Sequence, residues 1–401
     1  MKKIMYRLLV LALALAMMLL GSCTDADEAT TTVPEADATT TPESEFATVT
    51  ATVTEISKHG NLVLDLVGTD LFDRGYEYGD VLEVTIAGQT MEVPLCSNYS
   101  DVDNGVAVLR AVTAEGVLVL ALNMGDFAST AGVAEKIATD DEAGYRWEYL
   151  VEMPVQVSIS MKQEDGYREQ WLLHQLVGSA EREDYAHLSD EAFANFRVID
   201  TTGMGAGKLY RSSSPINPGI GRNTYADEAA GAAGIATVIN LADSSNTYDS
   251  PEGTYYLTCQ VVYLNLSMDF QNEANRVGLA NGIRFMIEGE GPYLVHCNEG
   301  KDRAGFVSAL LECLMGATIE EVLDDYMETY VNYYGVEKGT EKYDVVVKNT
   351  IIQVLKTNFK VEDVYQADLV AEAEAYLMED LGLSADEVAA LKAKLGPADA
   401  Q

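Results

Sequence analysis

Basic residues are scarce in this sequence: 26 Lys and Arg stand against 64 Asp and Glu in 401 residues, a formal net charge of −38. General nucleic-acid binding needs a basic face, and this composition excludes one. A polybasic lipid-binding surface is excluded on the same ground. Any anionic ligand must therefore be held by a small local cluster of cations, within a chain that otherwise repels it. Cysteine is also scarce, with Cys23, Cys96, Cys259, Cys297 and Cys313 the whole complement. These are too few for a disulfide framework, and no spacing among them suggests a zinc site. The sequence shows no metal cluster, so neither metal nor cofactor is expected. Long apolar runs are missing too, apart from residues 8–20, which are too short for a comfortable transmembrane helix.

That run has the marks of a targeting segment. Lys2, Lys3 and Arg7 precede it, and Leu20-Gly21-Ser22-Cys23 ends it. The ending resembles the lipobox of bacterial lipoproteins, which implies removal of residues 1–22 and lipidation of Cys23. Loss of the three cations would take the net charge to about −41. Residues 23–45 continue as Thr, Ala, Pro and acid with almost nothing apolar to bury, which reads as a solvated tether. The resemblance implies an extracytoplasmic protein, anchored to the cell membrane through its N-terminal lipid.

The rest of the chain is long enough for two domains. Residues 46–160 read as all-β. "ATVTATVTEI" alternates small or apolar residues with threonine, the period-2 pattern of a half-buried strand. "NLVLDLV", "VLEVTIAG", "MEVPLC", "GVAVLRAV" and "GVLVLALN" follow at the spacing of a small barrel or sandwich. From residue 165 to the end, helical and strand-like stretches alternate. "YREQWLLHQLVGS" has helical spacing; "ATVINLA", "VVYLNL" and "YLVHC" read as buried strands, with a helical "EANRVGLANGIRFMIE" before the last. That order predicts an α/β domain with a central, mainly parallel sheet flanked by helices. The C-terminal part reads as helical, with capping boxes at Thr318/Glu321 and Ser384/Glu387.

The chemistry concentrates in "YLVHCNEGKDRAGF", residues 293–306. A loop leaving a buried strand and entering a helix turns successive backbone N–H groups inward, and with the helix N-terminus they form an anion site. Gly300 and Gly305 would permit the backbone angles such a loop needs. Asn298, Glu299, Gly300, Lys301, Ala304 and Gly305 are the expected cradle. Cys297, at its start, would face those donors, so its thiol should ionise below the free value of about 8.5. Arg303 supplies the fork that matches two phosphate oxygens.

Cys297, five residues and Arg303, framed by His296 and Gly305, resemble the signature loop of the cysteine-dependent protein tyrosine and dual-specificity phosphatases. The "GKDR" centre looks like a bacterial branch of that family, as do "NFRVID" (195–200), "LYRSSSP" (209–215) and "GIATVINLADSS". The resemblance spans roughly residues 185–335 and implies hydrolysis through a cysteinyl-phosphate. Cys297 would be the nucleophile, with Arg303 and the loop amides holding the equatorial oxygens. Asp302 is the matching general acid, and Asp243, on a loop after a strand, is the second candidate. Lys301 adds charge at the mouth, useful for a second phosphate. His296 would hold the cysteine's backbone, and Arg211 is either structural or a substrate contact. Many members of the family carry Thr or Ser after the arginine, and Ala304 departs from that pattern. Phosphotyrosine proteins, phosphoinositides and inositol phosphates all stay open as substrates; the non-enzyme alternative is an anchored protein that holds phosphate or a phosphoprotein without cleaving it. A low-pKa thiol is also prone to oxidation, with Cys259 or Cys313 as conceivable resolving partners.

A second resemblance concerns the β-region. "GNLVLDL", "SNYSDVDNGVAVL" and "GVLVLALNMGDFAS" are similar to the C-terminal domain of the S-adenosylmethionine hydroxide adenosyltransferases. In that family the ligand lies against a preceding α/β domain, which is missing here, so the resemblance implies a fold and not that activity.

Overall fold

A computed structural model describes residues 46–245, 247 and 253–397. The expected signal peptide, the tether and Cys23 lie outside the described residues. No helix among the described residues is long and apolar enough to cross a membrane.

The β-rich part is a closed barrel. Its strands are β1 (Val49–Ile56), β2 (Leu62–Val67), β3 (Val81–Ile86), β4 (Gln89–Cys96), β5 (Ala107–Arg110), β6 (Val117–Leu122) and, after the hairpin β7 (Ala134–Ala138) and β8 (Tyr145–Tyr149), β9 (Gln156–Gln163). The order is β1-β2-β6-β5-β4-β3-β9, closed by β9 pairing with β1. Closure removes the exposed edges that an open sheet leaves for aggregation. Alternation places Leu82, Val84 and Ile86 of β3 inside, against Val49, Ala51 and Val53 of β1. In β1 that period breaks at a bulge between Val53 and Glu55, which lets Ile56 return to the core.

A helix at Arg168–His174 connects the barrel to the α/β part. It is shorter than its apolar pattern predicts. Trp171 stacks on Tyr78 of the barrel at 5.4 Å, and Arg168 pairs with Glu341 of the helical region at 2.9 Å. Residues Phe46–Gln401 accordingly form one compact unit.

The α/β sheet has five strands: β10 (Arg197–Val198), β11 (Leu209–Ser212), β12 (Thr237–Asn240), β13 (Gln260–Tyr263) and β14 (Tyr293–His296). Their order is β10-β11-β14-β12-β13, with every pair parallel except β10–β11. β14 is central and wholly buried. Leu294 packs with Val238 under the helix Asn223–Ala233, while Tyr293 and Val295 face the other core, with helices Glu273–Glu288 and Arg303–Met315. Burial on both faces explains why the strand reads as an unbroken apolar run. The helix Arg303–Met315 is buried from Ala304 to Leu314, so its start is fixed against the end of β14. Both expected capping boxes are present, at the helices Ile319–Tyr334 and Ala385–Leu395.

Candidate active site

The loop between β14 and the helix Arg303–Met315 occupies the C-terminal end of a central parallel strand, where open α/β sheets place their ligand crevices. Cys297, Asn298, Glu299, Asp302 and Arg303 line a cavity of about 330 Å³ there, together with Ile220, Ser267 and Met268. One concave space thus holds the expected nucleophile, the expected phosphate-binding arginine and the first candidate for the acid. Asp302 caps the helix without a side-chain cap bond, leaving the first-turn N–H groups free for an anion.

Two glycines make the loop's shape possible for different reasons. Gly300 has φ +71°, and a Cβ there would collide with the carbonyl of Ser212. Gly305 has ordinary helical backbone, which corrects the expectation of unusual angles. It is needed for close approach, because a Cβ would strike the ring of Tyr326 and crowd the Arg211 guanidinium.

Arg303 donates from Nη1 to the carbonyl of Leu266 at 2.9 Å, which fixes the direction of its fork. His296 is completely buried. Its Nδ1 lies 3.2 Å from the Cys297 carbonyl, and its Nε2 lies 3.4 Å from the Tyr256 hydroxyl. Burial, with Arg303 adding to it, pushes the His296 imidazolium down to about 4, against the opposing bond to Cys297. The ring is therefore neutral at pH 7, and its Nδ1 contact is with the backbone carbonyl of Cys297, as the expected supporting role requires.

Asp302 stands at the mouth. Tyr330 donates its hydroxyl to Oδ1 at 3.4 Å, and Lys301 Nζ lies 3.8 Å from Oδ2. Burial raises the carboxyl above its usual range; Lys301 and Tyr330 pull it back, and Glu299 adds to the rise. Asp243 is placed differently. It is 4% exposed, accepts from Asn240 Nδ2 at 3.1 Å, and does not line the cavity. Burial raises it as well, while Asn240 and Arg303 lower it. Asp243 is thus a buried carboxyl outside the cavity lining, whereas Asp302, of the two candidate acids, is the one that lines the cavity.

Two further expectations change. Lys301 is tied back: its ammonium meets Glu299 at 3.3 Å and the Tyr334 hydroxyl at 3.0 Å, and lies over the Tyr330 and Tyr334 rings. Burial works against its charge, but Asp302 and Glu299 outweigh that and raise it. Arg211 is 0% exposed, so it cannot touch substrate. It donates to the carbonyls of Gly300 at 2.6 Å and Lys301 at 3.1 Å from outside the loop and pairs with Asp325. Glu312, also wholly buried, has no hydrogen-bond partner for either carboxyl oxygen among the described residues, and burial pushes its ionisation well up.

The conceivable resolving thiols are remote. Cys313 lies ten residues along the helix that Arg303 begins, about 15 Å at 1.5 Å per residue. Cys259 precedes β13 at the opposite end of the sheet, because Thr237 pairs with both Gln260 and Tyr293. Four strand residues, hence five steps, then separate the rows of Cys259 and Cys297, about 16 Å at 3.3 Å each. Disulfides need Cα atoms within about 7 Å, so neither thiol is placed to resolve Cys297.

Sequence reading missed Tyr330, Tyr334, Leu266 and Ile220. Only the tyrosines left a signal: positions 326, 330, 333 and 334 share one face of a predicted helix.

A strand–loop–helix that turns a cysteine, an arginine and an aspartic acid into one cavity defines a cysteine-dependent phosphatase. A family profile described as "Tyrosine phosphatase family" matches residues 193–396, and the chain belongs to that family. No curated protein matches the sequence. Solved structures that resemble it include an uncharacterized conserved protein from Thermotoga maritima, at 20% identity and TM-score 0.21, covering 28% of this chain and 35% of that one. The core catalytic domain of the PP-IP phosphatase SIW14 from S. cerevisiae is 18% identical, with TM-score 0.26, over 42% of this chain and 94% of that one. TpbA from P. aeruginosa is 16% identical, with TM-score 0.26, over 41% and 89%. At such scores these likenesses decide neither substrate nor partner.

Proposed function

We propose that the protein hydrolyses phosphate monoesters through a cysteinyl-phosphate and that its substrates carry a single aryl phosphate, as in phosphotyrosine. The observation that carries the reaction is the shared cavity of Cys297, Asp302 and Arg303. In the first step the Cys297 thiolate attacks phosphorus and the bond to the ester oxygen breaks. That oxygen takes its proton from Asp302, whose raised carboxyl suits a general acid. In the second step water attacks phosphorus, gives a proton to the Asp302 carboxylate and releases the thiolate. Arg303 and the loop amides neutralise the equatorial oxygens throughout.

The substrate class rests on charge and shape. Among the described residues that line the cavity, Arg303 is the one cation, against the carboxylates of Glu299 and Asp302. Lys301, which would otherwise suit a second phosphate, is occupied by Glu299 and Tyr334. A polyphosphorylated inositol would meet net repulsion, whereas Ile220 and Met268 offer apolar walls to a ring. Residues 1–22 with Cys23 would place this activity on the outer side of a cell membrane. The barrel, taken as residues 46–160 beside a phosphatase domain from 165, serves as a binding or packing module.

The test is a parallel assay of a phosphotyrosine peptide, inositol hexakisphosphate and phosphoinositide vesicles. The peptide should show kcat/KM higher by about tenfold or more, a difference of about 1.4 kcal/mol in transition-state binding. Faster turnover of either inositide overturns the substrate assignment; no turnover of any of the three removes the reaction.

A further inference from the structure

We infer that Asn195 and Arg211, neither of which faces the cavity, are positioning residues that aim the phosphate-binding amides of the loop. The inference rests on the phosphatase reading, because it explains how that loop would hold an oxyanion.

Four consecutive loop carbonyls are bound from outside. Ser214 N–H donates to Asn298 O at 2.8 Å. Asn195 Nδ2 donates to Glu299 O at 2.9 Å. Arg211 Nη2 donates to Gly300 O at 2.6 Å and to Lys301 O at 3.1 Å. In a planar trans peptide the N–H points away from the preceding C=O. Drawing these carbonyls outward therefore turns the N–H groups of Glu299, Gly300, Lys301 and Asp302 toward the opposite side, where Cys297 and Arg303 stand. The amides are aimed before any ligand arrives, so binding and charge development need no reorganisation of the loop.

The outer partners are themselves locked. Asn195 is buried at φ +52°, a conformation Asn tolerates better than most residues. Its Oδ1 accepts from Thr329 Oγ1 at 3.0 Å and from Arg197. Arg211 pairs with Asp325, which also accepts from Arg197 Nε at 2.7 Å. Thr329 and Asp325 both belong to the helix Ile319–Tyr334. One helix thus fixes, through two side chains, the direction of three of the four amides, on a loop about twenty-five residues earlier in the chain, and the backbone of Ser214 holds the fourth. The blocks "NFRVID" and "LYRSSSP" acquire a purpose in this arrangement: they supply Asn195, Arg197, Arg211 and Ser214.

The test compares the full chain with Asn195→Asp and Arg211→Lys. The first keeps size, backbone preference and the acceptor for Thr329 but removes the donor to Glu299. The second keeps charge but loses the fork. Two turnover-independent readouts are used: protection of Cys297 from iodoacetamide by inorganic phosphate, and the pH midpoint of that alkylation. Both variants should need about tenfold more phosphate for protection and alkylate with a midpoint shifted upward. Leu82→Ala, a change in the separate core of the barrel, should lower Tm and leave both readouts where they are. If Arg211→Lys fails to fold, Asn195→Asp decides alone. Wild-type protection and midpoint in the folded variants overturn the inference and leave the phosphatase reading standing. A wild-type chain that phosphate does not protect overturns both.

Discussion

The Tyr330 hydroxyl donates to Asp302 Oδ1 at 3.4 Å, across the mouth of the cavity that Cys297 and Arg303 share. A residue 28 positions further along the chain thereby holds the Asp302 carboxyl in place at the end of the Cys297 loop. The bond favours the charged carboxylate, so it works against the burial that raises Asp302.

Tyr330→Phe should therefore raise the Asp302 carboxyl further. Asp302 acts as an acid while protonated, so the alkaline limb of kcat should move to higher pH, with kcat at the optimum changed by only a few fold. The pH profile of p-nitrophenyl phosphate turnover measures this. A limb that stays put, or moves down, removes Asp302 as the titrating acid.

His296 predicts a pH dependence of stability. Its folded imidazolium is depressed to about 4, from an ordinary 6.5. Between those values the unfolded chain binds the extra proton, so stability is lost as pH falls through that window. The full loss from this one group is about 3 kcal/mol. Urea unfolding of the wild type and His296→Gln at pH 7.5, 5.5 and 4.5 should show a smaller acid loss in the variant. Equal losses contradict a buried neutral ring.

Ala304 is completely buried in the first turn of the helix after the loop, and it lacks the hydroxyl that the family resemblance leads one to expect there. Slow breakdown of the phospho-enzyme should give a burst of p-nitrophenol followed by a slower steady state. Ala304→Ser should raise the steady rate several fold without enlarging the burst. Rapid-mixing kinetics decide it: no burst and no gain would place the slow step elsewhere.

Much of the loop was legible because its determinants are local. A buried apolar run before Cys297, a glycine at 300 and an arginine at 303 fall within eleven residues. The alternation in β3 and the capping boxes at Thr318 and Ser384 were legible for the same reason. What stayed hidden depends on tertiary placement. Lys301 reads as a free cation until Glu299 and Tyr334 enclose it. Arg211 reads as a conceivable substrate contact until β11 packs beside β14 and buries it. Gly305 reads as a conformational glycine, yet the Tyr326 ring, 21 positions away, is what excludes a side chain. The bulge in β1 and the closure of the barrel likewise come from pairing partners that no window of sequence contains.

The central claim, that Cys297 is the nucleophile, is met most directly by trapping the intermediate. Wild-type enzyme quenched in acid during turnover of a 32P-labelled phosphotyrosine peptide should carry label on the peptide containing Cys297. Cys297→Ser should fold with an unchanged Tm, carry no label and lose turnover by a factor on the order of 10⁴ or more. Turnover retained by Cys297→Ser, or label found on another residue, would contradict the account.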